Sequence, residues 1–393
     1  MAENVLKPQI RFKGFTDAWE QRKFYEVLDT ITDYVAAGSF ADLATNVKYK
    51  SSPDYAQLVR TTDLKSNFAN NDFIYVDKKA FDFLYRVNLN QECIIMPNIG
   101  NCGEIYYVNP IKLPYKHNVL GPNAIYVKSS TNNNKFLSYS FKSEKFQKSL
   151  KLIISPNGQT KFNKTELKTL DVSITTIKEE NQIGSFFESL DSLITLHQRK
   201  CLIINLHRNN FSVLFSYSWE QRKLGETVQI TMGQSPDGVT YSDVPSDYIL
   251  VQGNADIVDG WVTPRVWTTQ KTKTCETGDL IMSVRAPAGA MGKTAYNAVI
   301  GRGVASIKGN EFIYQQLSKM DSDGFWKKDS SGSTFESLNS DSIKNAEIKL
   351  PKEIEQNKIG NLFKNLDSLI TLHQRKCEKL KNMKKALLEK MFC

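Results

Sequence analysis

The chain has 393 residues, room for about two to three domains, and Lys plus Arg exceed Asp plus Glu by 51 − 42 = 9. That positive balance points toward a polyanionic partner, while the lack of any apolar run near ~18 residues excludes a membrane-spanning helix. The six cysteines form no CxxC pair and the opening MAENVLKPQIRFKGF has no apolar h-region, which predicts reduced thiols in a cytoplasmic protein.

In chain order, a WEQRK string at 19–23 precedes a first insert, of which 24–155 is rich in β-type runs. These are FIYV (73–76), CIIM (93–96), EIYYV (104–108) and NAIYV (123–127), separated by Asn, Gly and Pro turns, with a short helix expected at 135–152. A long helix is expected from about 178 to 208, followed by a second WEQRK at 219–223. The second insert carries YILV (248–251), DLIMSV (279–284) and GVASIK (303–308), with a helix expected at 311–320. A final long helix follows Pro351. The fold class expected is α+β: two mixed domains with largely antiparallel sheets, separated by two long helices. The domain bounds expected are 1–175, 176–217, 218–350 and 351–393.

The two long helices are copies. LDSLITLHQRKC occupies 190–201 and recurs unchanged at 366–377. In the first copy Ile183, Phe187, Leu190, Ile194, His197 and Cys201 alternate steps of four and three, the seam of a coiled coil. Ile359, Phe363, Leu366, Ile370, His373 and Cys377 repeat that seam, so packing the two helices against each other hides both. Leu193, Leu362 and Leu369 widen the apolar stripe. Glu179, Glu180, Glu353 and Glu355 suit the positive ends of the helix dipoles.

Catalytic patterns are scarce. GAMGKT (289–294) lacks the glycine that a phosphate loop needs, holding Pro287 in its place. Asp54, Asp63 and Lys65 imitate the carboxylate–lysine set of a metal-dependent nuclease, a pattern that also arises in solvated loops. His197 and His373 are repeat equivalents on the seam, and no zinc-ligand pair occurs.

RFKGFTDAWEQRK (11–23), MGQSPDGVTY (232–241), GDLIMSVRAPAGAMGK (278–293), IGRGVASI (300–307) and SGSTFESLNSDSIKNAEIKLPKEIEQNKI (331–359) together resemble the specificity subunit of a type I restriction-modification system. The resemblance implies two target-recognition domains on an antiparallel helical spacer, each reading half of a bipartite, asymmetric double-stranded DNA target. It also implies two modification subunits that methylate adenine with S-adenosylmethionine, and restriction subunits that use ATP and Mg. On that footing the chain itself carries no catalytic group, cofactor or metal. The first insert departs from the pattern, offering MPNIGNCGEIYYV (96–108) where the second has the RAPAG string.

Residue chemistry nominates the DNA contacts, with Arg and Lys suited to guanine and phosphate, and Asn and Gln to adenine. In the first insert these are Lys48, Lys50, Arg60, Asn98, Asn101, Lys116, Asn118, Asn157, Gln159 and Lys161. In the second they are Gln234, Ser235, Tyr241, Arg265, Arg285, Lys293, Arg302 and Ser333. Two other functions remain open at this level: a self-sufficient endonuclease using the Asp54 set, and a bivalent DNA-binding repressor.

Overall fold

The computed structural model describes residues 6–155, 160–214, 219–329 and 337–392, with side chains described for all of these but 207–214. The chain divides into two compact units, residues 1–197 with 375–393, and residues 198–374. No helix among the described residues is long and apolar enough to cross a membrane.

The first unit opens with β1 (Glu20–Lys23), which pairs antiparallel with β9 (Asp171–Ile174). Between them lie β2 (Thr30–Asp33), β3 (Ala56–Val59), β4 (Ile74–Val76), β5 (Cys93–Pro97), β6 (Tyr106–Val108), β7 (Asn118–Leu120) and β8 (Ala124–Lys128). They form a four-stranded sheet of order β2-β8-β5-β6 and a three-stranded sheet of order β4-β3-β7. CIIMP in β5 and AIYV in β8 are buried without alternation, as strands covered on both faces must be. Helices Asn134–Ser140 and Glu144–Ile153 start where the Asn133 and Ser143 side chains accept the Phe136 and Phe146 backbone N–H groups.

The second unit repeats this plan. Its strands are β10 (Glu220–Lys223), β11 (Gln229–Met232), β12 (Tyr241–Ser242), β13 (Tyr248–Val251), β14 (Ile257–Val258), β15 (Trp261–Val262), β16 (Val266–Thr268), β17 (Thr274–Cys275), β18 (Leu280–Ser283), β19 (Met291–Lys293), β20 (Ala298–Ile300), β21 (Val304–Lys308) and β22 (Glu347–Leu350). The antiparallel run β11-β21-β18-β19 matches β2-β8-β5-β6 strand for strand. The parallel pair β13 and β20, flanked by β16, matches β3 and β7 flanked by β4. β10 pairs with β22 as β1 pairs with β9. Two inserts with little common sequence therefore share one topology, and each adds a parallel pair to the antiparallel sheets expected.

The long helices run Ile177–Leu214 and Glu353–Met391. The first has 38 residues, about 57 Å at 1.5 Å per residue, about two turns longer than the sequence suggested. In the first unit Lys384 Nζ bonds Asp191 Oδ1 at 2.5 Å, and in the second the Cys201 thiol meets the Ile370 carbonyl at 3.7 Å. Within the first unit Phe187 meets Phe392 as Asp191 meets Lys384, so there residue numbers rise along one helix segment as they fall along the other.

The seam residues are hidden, but not only by each other. Ile183, Phe187 and Leu190 join the main core of the first unit with Trp19, Phe24, Phe136, Phe141, Met391 and Phe392. Ile194, Ile370 and Cys377 are buried, while His197, Cys201, Phe363, Leu366 and His373 are half-buried. Ile359 belongs to the second unit's core beside Leu280, Phe312 and Trp326, with Phe363 packed against it. The start of each long helix thus seals its own domain, so the seam is partly a domain core. Leu193, Leu362 and Leu369, expected to widen the buried stripe, stand 37–44% exposed.

The WEQRK tryptophans are anchors. Trp19 meets Phe136 edge-on at 5.6 Å, and Trp219 meets Phe312 in the same manner at 5.5 Å. The four residues after each tryptophan are exposed.

Candidate nucleic-acid interface

In the first unit the chain leaving β5 at Asn98–Asn101 meets three neighbours. The Asn98 backbone N–H donates to the Asn123 carbonyl, Phe162 N–H donates to the Asn98 carbonyl, and Gly100 N–H donates to the Thr160 carbonyl. Ile99 bridges Lys161 in antiparallel fashion, and the Asn98 amide reaches the Phe162 carbonyl at 3.3 Å. These bonds gather Asn98, Asn101 and Lys161 at one end of the sheet. The Lys161 side chain is exposed and makes no ion pair among the described residues. Asn157 and Gln159 lie outside the described residues.

The other first-insert candidates divide by what already holds them. Arg60 grips the fully buried Asp63 through two nitrogens, at 2.8 and 3.1 Å, and this hydrogen-bonded pairing raises the guanidinium pKa. Its role is to hold the turn after β3. Lys50 is paired with Asp54 at 2.5 Å, which raises its pKa in turn. Asn118 is buried inside β7 with its amide donating to the Tyr115 carbonyl at 2.7 Å, so its edge is turned away from any ligand. Lys116 is exposed at the opposite end of β7 from Asn123. Lys48 is exposed, its ammonium resting on the Ala44 carbonyl at 2.7 Å.

The nuclease constellation is dismantled by the same contacts. Asp63 belongs to Arg60, Asp54 to Lys50, and Lys65 pairs with Glu104 at 2.8 Å. Each group is spent on a separate partner.

The second unit builds the equivalent end from Gln234, Ser235, Arg285 and Arg302. Gln234 N–H donates to the Ile300 carbonyl, and the Ser235 hydroxyl accepts the Arg302 N–H at 3.1 Å. Val284 N–H donates to the Gly303 carbonyl, while Arg285 bridges Ser337. The guanidinium groups of Arg285 and Arg302 are exposed and unpaired among the described residues. Tyr241 joins the cluster through its hydroxyl on the Pro236 carbonyl at 3.3 Å.

Two candidates are absent from that cluster. Arg265 is tied to the buried Asp256 at 2.8 Å. Lys293 lies between Glu311, at 2.9 Å, and the rings of Trp261 and Tyr314, and is largely buried. Ser333 lies outside the described residues.

The bonds give a residue-by-residue match between the two ends. Ile99, bridged to Lys161, corresponds to Arg285, bridged to Ser337. Gly121 N–H on the Val59 carbonyl corresponds to Gly301 N–H on that of Val251, which sets Pro122 against Arg302. At these two matched positions the first unit is apolar, where the second holds two guanidinium groups that are unpaired among the described residues. Sequence reasoning missed Tyr34, Phe40, Tyr49 and Asn123, which line the hollow beside Asn98. Aromatics read from sequence alone look like core, and only the exposure of Phe40 and Tyr49 separates them.

A model of the type I restriction modification DNA specificity domain matches residues 19–205 and again 217–382. A putative type I restriction enzyme MjaX specificity subunit of Methanocaldococcus jannaschii is 25% identical over 262 residues. That match spans 59% of this chain and 60% of the relative, less than two thirds of its length. Among solved structures, a type I restriction-modification S subunit from M. genitalium has a TM-score of 0.64 at 14% identity, covering 99% of both chains. A chain from a structure on the assembly and conformational transition of a type I system has a TM-score of 0.52 at 18% identity, covering 94% of this chain and 96% of that one. At these identities the two structures attest the fold. With the family model met twice over most of its length, the chain belongs to the type I restriction modification DNA specificity family.

Proposed function

We propose that this chain reads a bipartite, asymmetric double-stranded DNA target, one insert per half-site, as the specificity subunit of a type I restriction-modification complex. The observation that carries the reading is the match just described: two domains of one topology, in a duplicated frame, with different chemistry at the corresponding end. Equal topology gives both domains the same approach to a duplex, and unequal side chains give them different half-sites. Asn98, Asn101 and Lys161 serve the first half-site, and Gln234, Ser235, Tyr241, Arg285 and Arg302 the second. Arg60, Lys50, Arg265 and Lys293 keep their own domains in order.

The chemistry belongs to partners. Two modification subunits bind the frame and methylate adenine using S-adenosylmethionine, and restriction subunits add an ATP- and Mg-dependent nuclease. What supports two equal docking sites is the identity of exposed residues in the two copies. Leu193 and Leu196 recur as Leu369 and Leu372, all exposed, and EQRK recurs on β1 and β10. Exposed positions drift unless something outside the chain holds them. The Glu20–Arg22 and Glu220–Arg222 surface pairs are worth well under ~1 kcal/mol each, too little to preserve the string.

Sequencing the methylated sites of cells carrying the chain and its modification subunits tests the reading. The expected result is one adenine-methylated motif with two different half-sites at fixed spacing. A single continuous motif, or methylation indifferent to the chain, would sink it.

A further inference from the structure

β2 and β11 are equivalent through their pairing with β8 and β21, which places Tyr34 where the second insert has Gly233. There the second insert is closed: a Cβ on Gly233 would lie 2.1 Å from the Gly301 carbonyl oxygen. In the first insert the chain swings away from Tyr34 through a 3-10 turn and the helix Phe40–Asn46. The gap this leaves is an open cavity of about 450 Å³. Its walls include Tyr34, Tyr49, Leu43, Val47 and Ile99, and Phe40 stands at its edge, 84% exposed.

The lining has the chemistry of a nucleobase site. Tyrosine faces and aliphatic side chains offer stacking and dispersion contacts. Asn98 and Asn123 add amide groups for a hydrogen-bonding edge. The Asn98 amide N–H₂ already donates to Phe162, which leaves its oxygen to accept. Asp33, also at the wall, is neutralised by Lys164 at 2.9 Å. Lys48, rooted on the Ala44 carbonyl of the lining, and Lys161, bridged to Ile99, supply the positive charge that the phosphates beside a displaced nucleotide require. A thymine methyl alone would leave most of this volume empty.

We infer that the first insert takes one unstacked base of the bound DNA into this cavity, whereas the second insert reads a stacked duplex. The inference rests on the DNA-reading function proposed above. The cost of unstacking is on the order of what burying one base among aromatic and aliphatic walls returns. It therefore selects for base steps that open easily, adding discrimination where few free cations are present.

The test uses the full chain with its modification subunits and duplexes carrying 2-aminopurine at successive positions of the first half-site, outside the adenine that becomes methylated. Expected is a several-fold rise in emission at one position. Ala44→Trp, which plugs the cavity from an exposed helical position, abolishes the rise, and Phe40→Ala reduces it. Protection of the first half-site with no bright position overturns the inference, as does a rise that Ala44→Trp leaves unchanged. Absence of protection at either half-site overturns the DNA-reading function and the inference with it. Thymidine or adenosine alone, if it saturably quenches tyrosine emission in the wild type and not in Ala44→Trp, overturns DNA as the source of the base.

Discussion

Arg11 reaches across the sequence to Glu179 with two nitrogens, at 2.6 and 2.8 Å, and the Thr175 hydroxyl donates to the same carboxylate at 2.6 Å. Burial pushes the Glu179 pKa up, but these hydrogen bonds hold it below the usual carboxylate range. A depressed carboxylate gives stability that is full above its unfolded pKa and lost as pH falls through the folded one. Arg11→Ala should therefore cost about 3 kcal/mol at neutral pH, because it strips the main partner from a fully buried charge. Urea titrations of wild type and variant should show that difference shrinking as pH drops below the carboxylate range. A gap that stays constant to pH 3 would contradict the assignment. Glu180 behaves oppositely, its pKa raised by burial despite bonds from Asn132 and Asn133. The sequence placed both glutamates at a helix start but gave them only the dipole as partner. Arg11 is 168 residues away from Glu179, and no local pattern encodes such a meeting.

At the scale of the element, the heptad spacing was readable because burial enforces it wherever a helix is covered. What covers it was not readable, since a domain core and a partner helix demand the same apolar side chains. Leu190 shows the difficulty: charging it would break the first unit's core, so loss of DNA binding would say nothing about helix pairing. Leu193 and Leu369, 44% and 43% exposed, allow a cleaner experiment. Leu193→Ser with Leu369→Ser should leave the melting temperature nearly unchanged. It should weaken capture of modification subunits at least tenfold, given ~1.5–3 kcal/mol for each leucine buried in a complex. Unaltered assembly in co-purification would remove this face from the docking surface.

For the molecule as a whole, the duplication was legible from two identical strings, and the α+β class from the β-rich runs between them. The common topology of the inserts was not, because strand order depends on long-range pairing that divergent side chains satisfy equally well. The DNA candidates were half legible for a related reason. Arg60 and Arg302 have the same chemistry in sequence, and only Asp63 beside one of them tells an internal tether from a free group. Replacing residues 24–155 by the corresponding stretch of another family member should change one half-site of the methylated motif and leave the other, with methylome sequencing as the readout. A change in both halves would mean that the two domains read jointly.

The clasps β1–β9 and β10–β22 bring the entrance and exit of each insert to neighbouring positions, with Lys23 opposite Asp171 and Lys223 opposite Glu347. Whatever lies between those points, the frame meets the same two chain ends. Insertions and deletions inside an insert are thus absorbed locally and never shift the register of the long helices. Natural selection can rewrite one insert at full speed while the remainder of the gene stands still.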